Sequence, residues 1–174
     1  MSSSETSTLR AIGRAAAGLL LLGALAGCQV RPLYSTGGNS EAILSSIGIS
    51  EADTRVEQQV RNNLIFLLAG GAGEPAQPEY MLEMNVSVRN IGVLLDTATD
   101  VPRAGRIVVT ADYNLAREST GETVRSGKRS TVALVDFPVQ EFAKVRATRD
   151  AENRAARELS ELIRADIAAS LPRT

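Results

Sequence analysis

The chain of 174 residues contains no histidine, no tryptophan and only one cysteine. Histidine is the commonest general base and a common metal ligand, so its absence removes an essential member of Ser/His and Cys/His catalytic sites and of most zinc sites. We therefore expect no enzyme activity, no cofactor and no metal site. A carboxylate pair could still support hydrolysis, and Asp96 and Asp100 are the best-spaced loop pair. Thr97 and Pro102 beside them favour a turn instead.

An excess of charge of either sign is also missing. The chain has 19 basic and 20 acidic residues, a formal net charge of −1, and no long run of one sign. Nucleic acid is not an expected partner, because its binding requires a strongly cationic surface. With one cysteine, the chain cannot form an intramolecular disulfide, although exported proteins often do.

The N-terminus carries the clearest pattern in the sequence. Arg10 and Arg14 precede the apolar residues 15–25, and a Leu-Ala-Gly tripeptide leads directly into Cys28. This order is typical of a bacterial secretory signal, and the apolar run is too short to span a bilayer. We predict that residues 1–27 are a lipoprotein signal peptide and that the Cys28 thiol receives a diacylglyceryl anchor. The alternatives are an ordinary residue near a plain cleavage site and a buried residue of a retained helix.

The segment after the signal is expected to tether one domain to a membrane. Residues 28–40 would form the lipidated N-terminus and a flexible polar linker, and residues 41–174 a single domain. Gln29, rather than Asp, follows the cysteine, and by the usual sorting of bacterial lipoproteins this indicates the outer membrane. Several acyl chains on one N-terminus would anchor the protein durably in the membrane, because each methylene buried in the bilayer contributes about 0.8 kcal/mol to the binding free energy.

Hydrophobic periodicity predicts six elements in the domain. Strands alternate apolar and polar residues, whereas helices repeat apolar residues every three or four positions. The predicted order is a strand at 43–49, a helix from Ser50 to the Gly70-Gly71 stop, strands at 80–95, 107–115 and 123–135, and a helix at 139–170.

Local features of the helices are also predicted. Ser50 and Asp53 resemble a capping box at the start of the first helix, and Glu57 and Arg61 have the order of a favourable i,i+4 ion pair. The last helix should face inward with the residues Ala151, Ala155, Leu159, Leu162, Ile163 and Ile167, and should carry i,i+4 pairs such as Asp150/Arg154 on its outer surface.

The strands carry signals of irregularity. The apolar phase of strand 80–95 shifts by one residue, which predicts a bulge near Asn90 or Gly92. The parity of strand 123–135 is ambiguous, and a bulge at Gly127 could resolve it. Residues 119–121, Ser-Thr-Gly, should close a hairpin between the last two strands.

The fold expected from this order is an α+β two-layer sandwich. About four mostly antiparallel strands, in the order strand-helix-strand-strand-strand-helix, would present one apolar face to two amphipathic helices. Packing both helices on that face buries every apolar stripe.

The residues after the cysteine resemble a known family. Arg31-Pro32-Leu33-Tyr34 complete a Cys-x-x-Arg-Pro-Leu-Tyr start that is similar to the LptE family of lipopolysaccharide-assembly lipoproteins. Weaker similarities follow in order along nearly the whole chain, at 59–64, 111–115, 120–121 and 150–171. The Gln-Val after the cysteine departs from the Gly-Phe often found there.

The resemblance implies an outer-membrane lipoprotein that plugs and helps to assemble the LptD β-barrel. The two proteins would form the translocon that inserts lipopolysaccharide into the outer leaflet, with this domain facing the periplasm and the barrel lumen. An auxiliary lipoprotein of another envelope lipid-transport system is the alternative.

The resemblance also implies lipopolysaccharide binding, because the lipid A phosphates call for Arg or Lys. The candidates lie in the last two strands or the turn before them: Arg103, Arg106, Arg125, Lys128 and Arg129. Pairing around the hairpin would place Arg106 opposite the second half of the last strand and the last three nearer the tip, so they need not form one patch. A solvated sheet face is an alternative explanation for their charge.

Overall fold

The computed structural model describes residues 39–95 and 102–171. The predictions for the signal peptide, Cys28, Arg31-Pro32-Leu33-Tyr34, Asp96 and Asp100 concern residues outside this part. The helices are α1 (Asn39–Ser45), α2 (Arg55–Ala69) and α3 (Glu141–Ser170), and the strands are β1 (Ile47–Ile49), β2 (Tyr80–Leu95), β3 (Pro102–Arg117) and β4 (Thr123–Asp136).

The four strands form one sheet in the order β1-β2-β3-β4. β1 is parallel to β2, and the other neighbours are antiparallel. Helix α3 lies along β3 and β4, α2 lies near β1 and β2, and the two helices contact each other. The core between helices and sheet consists of fully buried aliphatic residues, among them Leu64, Leu82, Ile107, Leu115, Leu159 and Ile163. The predicted α+β sandwich is confirmed.

The region predicted as strand 43–49 is instead a short helix followed by a three-residue strand. Helix α1 ends at Ser45, and only Ile47–Ile49 pairs with β2. Leu44, Ile47 and Ile49 are all buried. A short apolar run of this kind is compatible with either period, so the spacing could not locate the boundary.

Helix α2 is capped four residues later than predicted. Its N-cap is Thr54, whose hydroxyl accepts a hydrogen bond from the Glu57 amide at 3.2 Å. The Glu57 carboxylate accepts from the amide of Asp53, the residue before the N-cap, at 3.0 Å, so the cap is built by Thr54 and Glu57 rather than by Ser50 and Asp53. The helix ends at Gly70 with φ +59, which confirms the predicted stop.

The predicted Glu57/Arg61 ion pair is wrong. Glu57 is only 3% exposed, and its second oxygen accepts from the Val86 amide of β2 at 3.2 Å. Arg61 instead pairs with Glu74 at 2.6 Å, in the loop after the helix. Glu57 thus joins the helix to the sheet, because it satisfies donors of both.

Strand β2 contains no bulge, so that prediction is also wrong. Its pairing with β3 keeps one register from Tyr80↔Arg117 to Leu95↔Pro102. Since the register does not shift, the change in apolar phase moves Ile91 and Val93 to the other face of the sheet. That face is covered by neither α2 nor α3, and we call it the open face.

The β3–β4 hairpin forms as predicted, but its irregularity lies elsewhere. The Gly121 amide donates to the Arg117 carbonyl at 2.8 Å, and Gly121 has φ +69. The register shifts between Leu115 and Ala116, on the hairpin side of Arg125. Gly127 pairs regularly with Tyr113, so the bulge predicted at Gly127 is wrong.

Helix α3 begins at Glu141, two residues later than predicted, and ends at Ser170 as predicted. The inward stripe is confirmed for five of its six residues, Ala151, Ala155, Leu159, Ile163 and Ile167. Leu162 was placed wrongly, since it is 41% exposed. Asp150 and Arg154 form the expected ion pair on the outer surface.

Candidate functional site

The sheet register divides the five predicted basic residues between two faces. Arg125 and Arg129 lie opposite Leu115 and Ala111, which are buried under the helices. Both arginines are therefore on the helix-covered face. Lys128 and Arg106 have the other parity and lie on the open face, and Arg103 is exposed near the start of β3.

On the helix-covered face, two arginines and a tyrosine converge on Asp166 of α3. Arg125 donates to both carboxylate oxygens, at 3.0 and 2.9 Å, and Arg129 donates at 2.7 Å. The Tyr113 hydroxyl donates to the same carboxylate. The Asp166 side chain is 11% exposed, whereas the arginine side chains are 40% and 39% exposed. We call these four residues the Asp166 cluster.

The electrostatics of the cluster favour an ionised Asp166. Burial raises the pKa of this carboxyl, but hydrogen bonds from Arg125 and Tyr113 and the charges of Arg129 and Arg125 outweigh burial and hold it below its usual value. Burial and the hydrogen bond to Asp166 raise the pKa of Tyr113 to about 12. The same carboxylate raises the pKa of Arg125. The cluster therefore carries one negative and two positive charges at neutral pH.

A glycine makes room for the cluster. Gly127 stands opposite Tyr113, and a Cβ atom on Gly127 would lie 2.6 Å from the Tyr113 hydroxyl oxygen. Any larger residue would displace the ring that reaches across β4 towards Asp166. Gly127 is thus explained by the close approach of a side chain and not by a bulge.

Sequence reasoning missed Tyr113, Gly127 and Asp166 as members of one site. Tyr113 was assigned to the apolar face of its strand, and Asp166 has no sequence neighbour that indicates its partners. The available signal was a carboxylate next to the inward stripe of α3, beside Ile163 and Ile167, because a charge at that position needs a partner.

The remaining predicted basic residues lie outside the Asp166 cluster. Lys128 forms an exposed ion pair with Asp112 at 3.0 Å. Arg103 lines a cleft of about 330 Å³ at the end of the sheet, together with Phe137, Val139 and Lys144. The Lys144 ammonium lies 5.7 Å from the centre of the Phe137 ring. Glu141 also lines this cleft, and its carboxylate lies 3.8 Å from the Lys144 ammonium, so the cleft combines apolar groups with charges of both signs.

The open face has a polar half towards the β3–β4 hairpin and a less polar half towards the other end. The polar half contains the Lys128–Asp112 pair and the hydrogen-bonded hydroxyls of Thr110 and Ser130 at 3.1 Å. In the other half the register brings together residues that we call the apolar patch: Arg89, Ile91, Arg106, Val108, Val132 and Leu134.

Within residues 39–95 and 102–171, no group of three or more His, Cys, Asp or Glu side chains could hold a metal ion. Among the helices of this described part, none is long and apolar enough to cross a membrane.

The comparison with protein families identifies the domain. Residues 44–167 match the lipopolysaccharide-assembly family LptE, and this range contains β1, the whole β2–β4 meander, α2 and nearly all of α3. The chain belongs to the LptE family. It is therefore a lipopolysaccharide-assembly lipoprotein, and the family resemblance in the sequence is confirmed.

Solved structures show the same LptE-like fold. A protein described as a lipoprotein from Caulobacter crescentus has a TM-score of 0.63 at 28% identity, over 75% of this chain and 93% of that chain. Rare lipoprotein B from Shewanella oneidensis has a TM-score of 0.54 at 12% identity, over 71% and 92%. A minor lipoprotein from Acinetobacter baumannii has a TM-score of 0.51 at 12% identity, over 74% and 92%. The comparison with curated proteins gave no significant match.

Proposed function

We propose that this chain is the lipoprotein partner of the LptD β-barrel, which it plugs and helps to assemble. The two proteins would form the translocon that inserts lipopolysaccharide into the outer leaflet. The observation that carries this proposal is the LptE family match over residues 44–167, which covers almost the entire described sheet and its packed helices. The role is binding and structural, and it requires no catalytic step.

The proposed location is the outer membrane, with the domain facing the periplasm and the barrel lumen. The support is the order of signal residues before Cys28 and the Gln29 that follows it. A thioether-linked diacylglyceryl group at Cys28 would be the anchor, strengthened by further acylation.

Affinity isolation from detergent-solubilised outer membranes tests this proposal. The full-length protein with a C-terminal affinity tag should co-isolate a large β-barrel protein at equal stoichiometry. An unrelated outer-membrane lipoprotein with the same tag is the control for barrel proteins that co-isolate non-specifically with membrane fragments. Isolation of an inner-membrane transporter component without a barrel would instead support the alternative, a role in another lipid-transport system.

We further propose that exposed basic residues bind the phosphates of lipopolysaccharide. Arg103, Arg106 and Lys128 are suited to this, because their side chains are exposed and Arg103 lines a cleft with apolar walls. Arg125 and Arg129 differ, since both already donate to Asp166. Their partial exposure still leaves each guanidinium a solvent-facing side that could contact a phosphate.

Two variants separate binding from stability. Replacing Arg103, Arg106 and Lys128 by Gln should weaken lipopolysaccharide binding in a salt-dependent manner and leave the unfolding transition in place, because exposed charges contribute little to stability. Replacing Arg125 and Arg129 by Gln should lower the midpoint of the unfolding transition, because Asp166 loses its charged partners. Dephosphorylated lipid A should bind weakly to the unaltered protein. Equal binding of intact lipopolysaccharide by the triple variant and the parent would contradict the proposal.

A further inference from the structure

The apolar patch of the open face lies outside the hydrophobic core that the described residues form. Val132 is 50% and Leu134 is 69% exposed, and Ile91 and Val108 are half-buried. Single exposed aliphatic residues are normal on protein surfaces, but contiguous groups mark interaction sites. These four residues are contiguous, because the register places Val108 opposite Val132 and Ile91 opposite Arg106, which is itself opposite Leu134.

The arrangement of the patch is regular across three strands. One row reads Arg89, Val108, Val132 and the next row reads Ile91, Arg106, Leu134. The two arginines are thus diagonal neighbours, about 7–8 Å apart at the backbone, with aliphatic side chains around them. The row that follows towards the hairpin contains only Ser87, Thr110 and Ser130. The change from hydroxyls to aliphatics is therefore abrupt on the same face.

The two charges of the patch are unpaired among the residues that the structure describes. Among residues 39–95 and 102–171, neither the Arg89 nor the Arg106 guanidinium has a hydrogen-bond or ion-pair partner, and both side chains are exposed. Other arginines of the sheet are matched with acidic residues, such as Arg117 with Glu79 and Arg125 with Asp166. Two adjacent unmatched cations on an aliphatic surface are complementary to carboxylates presented on another aliphatic surface.

We propose that the apolar patch docks a partner protein surface that presents aliphatic side chains and carboxylates facing Arg89 and Arg106. This inference rests on the proposed function, under which that surface belongs to the wall of the partner barrel. Arginine and large apolar residues are typical of interface centres, and a guanidinium can hold a carboxylate with two parallel hydrogen bonds. The open sheet surface offers such contacts over three strands, whereas lipid acyl chains bind best in a concave pocket.

Charge reversal and aliphatic removal test the patch separately. Arg89→Glu with Arg106→Glu should weaken barrel binding at least about tenfold, measured as the amount of barrel that co-isolates with the tagged lipoprotein from detergent-solubilised outer membranes, because like charges would then face each other. Val132→Thr with Leu134→Gln should weaken it by a similar factor, since their exposed side chains contribute to docking rather than to the core. Both variants should unfold at the same denaturant concentration as the parent.

A matched control uses the outer surface of α3. Arg149→Glu with Arg157→Glu makes the same change in net charge at two exposed positions and should leave the affinity within about twofold. Barrel affinity unchanged in both patch variants, or lowered equally in the control, would overturn the inference. Loss of lipopolysaccharide binding with barrel affinity intact would also overturn it and assign the patch to lipid. If the unaltered lipoprotein binds no barrel at all, the proposed function itself fails, and the inference with it.

Discussion

Asp166 joins the sheet to the last helix through charged hydrogen bonds. Its carboxylate accepts from Tyr113, Arg125 and Arg129, which come from two strands, and it is far less exposed than either arginine. Substitution of Asp166 should destabilise the protein, because removing the carboxylate leaves the guanidinium groups of Arg125 and Arg129 close together without a counter-charge.

Asp166→Asn should lower the free energy of unfolding by about 1–2 kcal/mol at pH 7. The folded-state pKa of Asp166 lies below its ordinary value of 3.8, so its stabilisation is fully present above that value. This stabilisation is lost as the pH falls through the lowered pKa. Denaturant unfolding of parent and variant should therefore converge in acid.

The control for this variant is Asp112→Asn. Asp112 also pairs with a cation of β4, Lys128, but both side chains are more than half exposed. Its substitution should leave the unfolding midpoint unchanged at pH 7. If Asp112→Asn lowers the free energy of unfolding as much as Asp166→Asn does, the Asp166 cluster is not special. If the destabilisation by Asp166→Asn is equally large in acid, it does not depend on the ionised carboxylate.

Gly127→Ala should destabilise the protein by about 1–3 kcal/mol, the usual range for overpacking. The new Cβ would meet the Tyr113 hydroxyl oxygen at 2.6 Å, and the ring could move only by weakening its bond to Asp166. Ser126→Ala, at the neighbouring position on the open face, is the control and should be nearly neutral. Thermal unfolding of both variants measures the difference. If Gly127→Ala is as neutral as Ser126→Ala, the close approach of Tyr113 does not constrain this position.

At the scale of elements, the start of helix α2 depends on a cap that two segments of the sequence could supply. Ser50 with Asp53 and Thr54 with Glu57 both have the hydroxyl-x-x-carboxylate pattern. The second pair is used because Glu57 also accepts from Val86 of β2, which fixes the helix against the sheet. The choice depends on this tertiary contact.

Thr54→Ala should cost about 1 kcal/mol of stability, as is usual for loss of an N-cap. Ser50→Ala should cost less, because the Ser50 hydroxyl accepts only one long hydrogen bond, from the Met84 amide at 3.4 Å. Chemical denaturation of both variants measures the difference. A larger loss for Ser50→Ala would restore the cap predicted from the sequence.

Element positions could be predicted from the sequence where periodicity was strong. The alternation from Ile107 to Leu115 and the stripe from Ala151 to Ile167 located β3 and α3, because each pattern fits only one period. The short β1 and the preceding helix could not be separated, since their apolar residues fit both periods.

The site could be predicted less well than the fold. Parity within β4 alone does not say which of Arg125 and Lys128 faces the helices, because that depends on the register shift beside Leu115. The link from Arg125 to Asp166 joins residues 41 positions apart and has no local signal. The apolar shift in β2 is visible in the sequence, but it is compatible both with a bulge and with a change of face, and only the register with β3 decides between them.

At the scale of the whole molecule, the two faces of the sheet differ in composition and in what covers them. The helix-covered face contains the aliphatic core and the Asp166 cluster, and it accounts for the fold. The open face carries the apolar patch with its two arginines, and neither α2 nor α3 covers it. The chain belongs to the lipopolysaccharide-assembly family LptE, and the partner proposed for the open face is the barrel of that assembly.

Cys28→Ser should abolish lipidation, because a serine hydroxyl does not replace the thiolate as the nucleophile that attacks the diacylglyceryl donor. The precursor should accumulate uncleaved or the domain should lose its anchor. Metabolic labelling with a radioactive fatty acid measures this, with the parent chain as the control. Continued labelling of the serine variant would place the lipid elsewhere.

The most direct test of the account is the amount of correctly assembled barrel in cells depleted of this protein. A lumenal plug stabilises the folded barrel by contacts that an empty barrel lacks, so depletion should lower mature LptD and surface lipopolysaccharide together. Re-expression of the parent chain should restore both. Unchanged barrel abundance and normal surface lipopolysaccharide after depletion would contradict a role in lipopolysaccharide insertion.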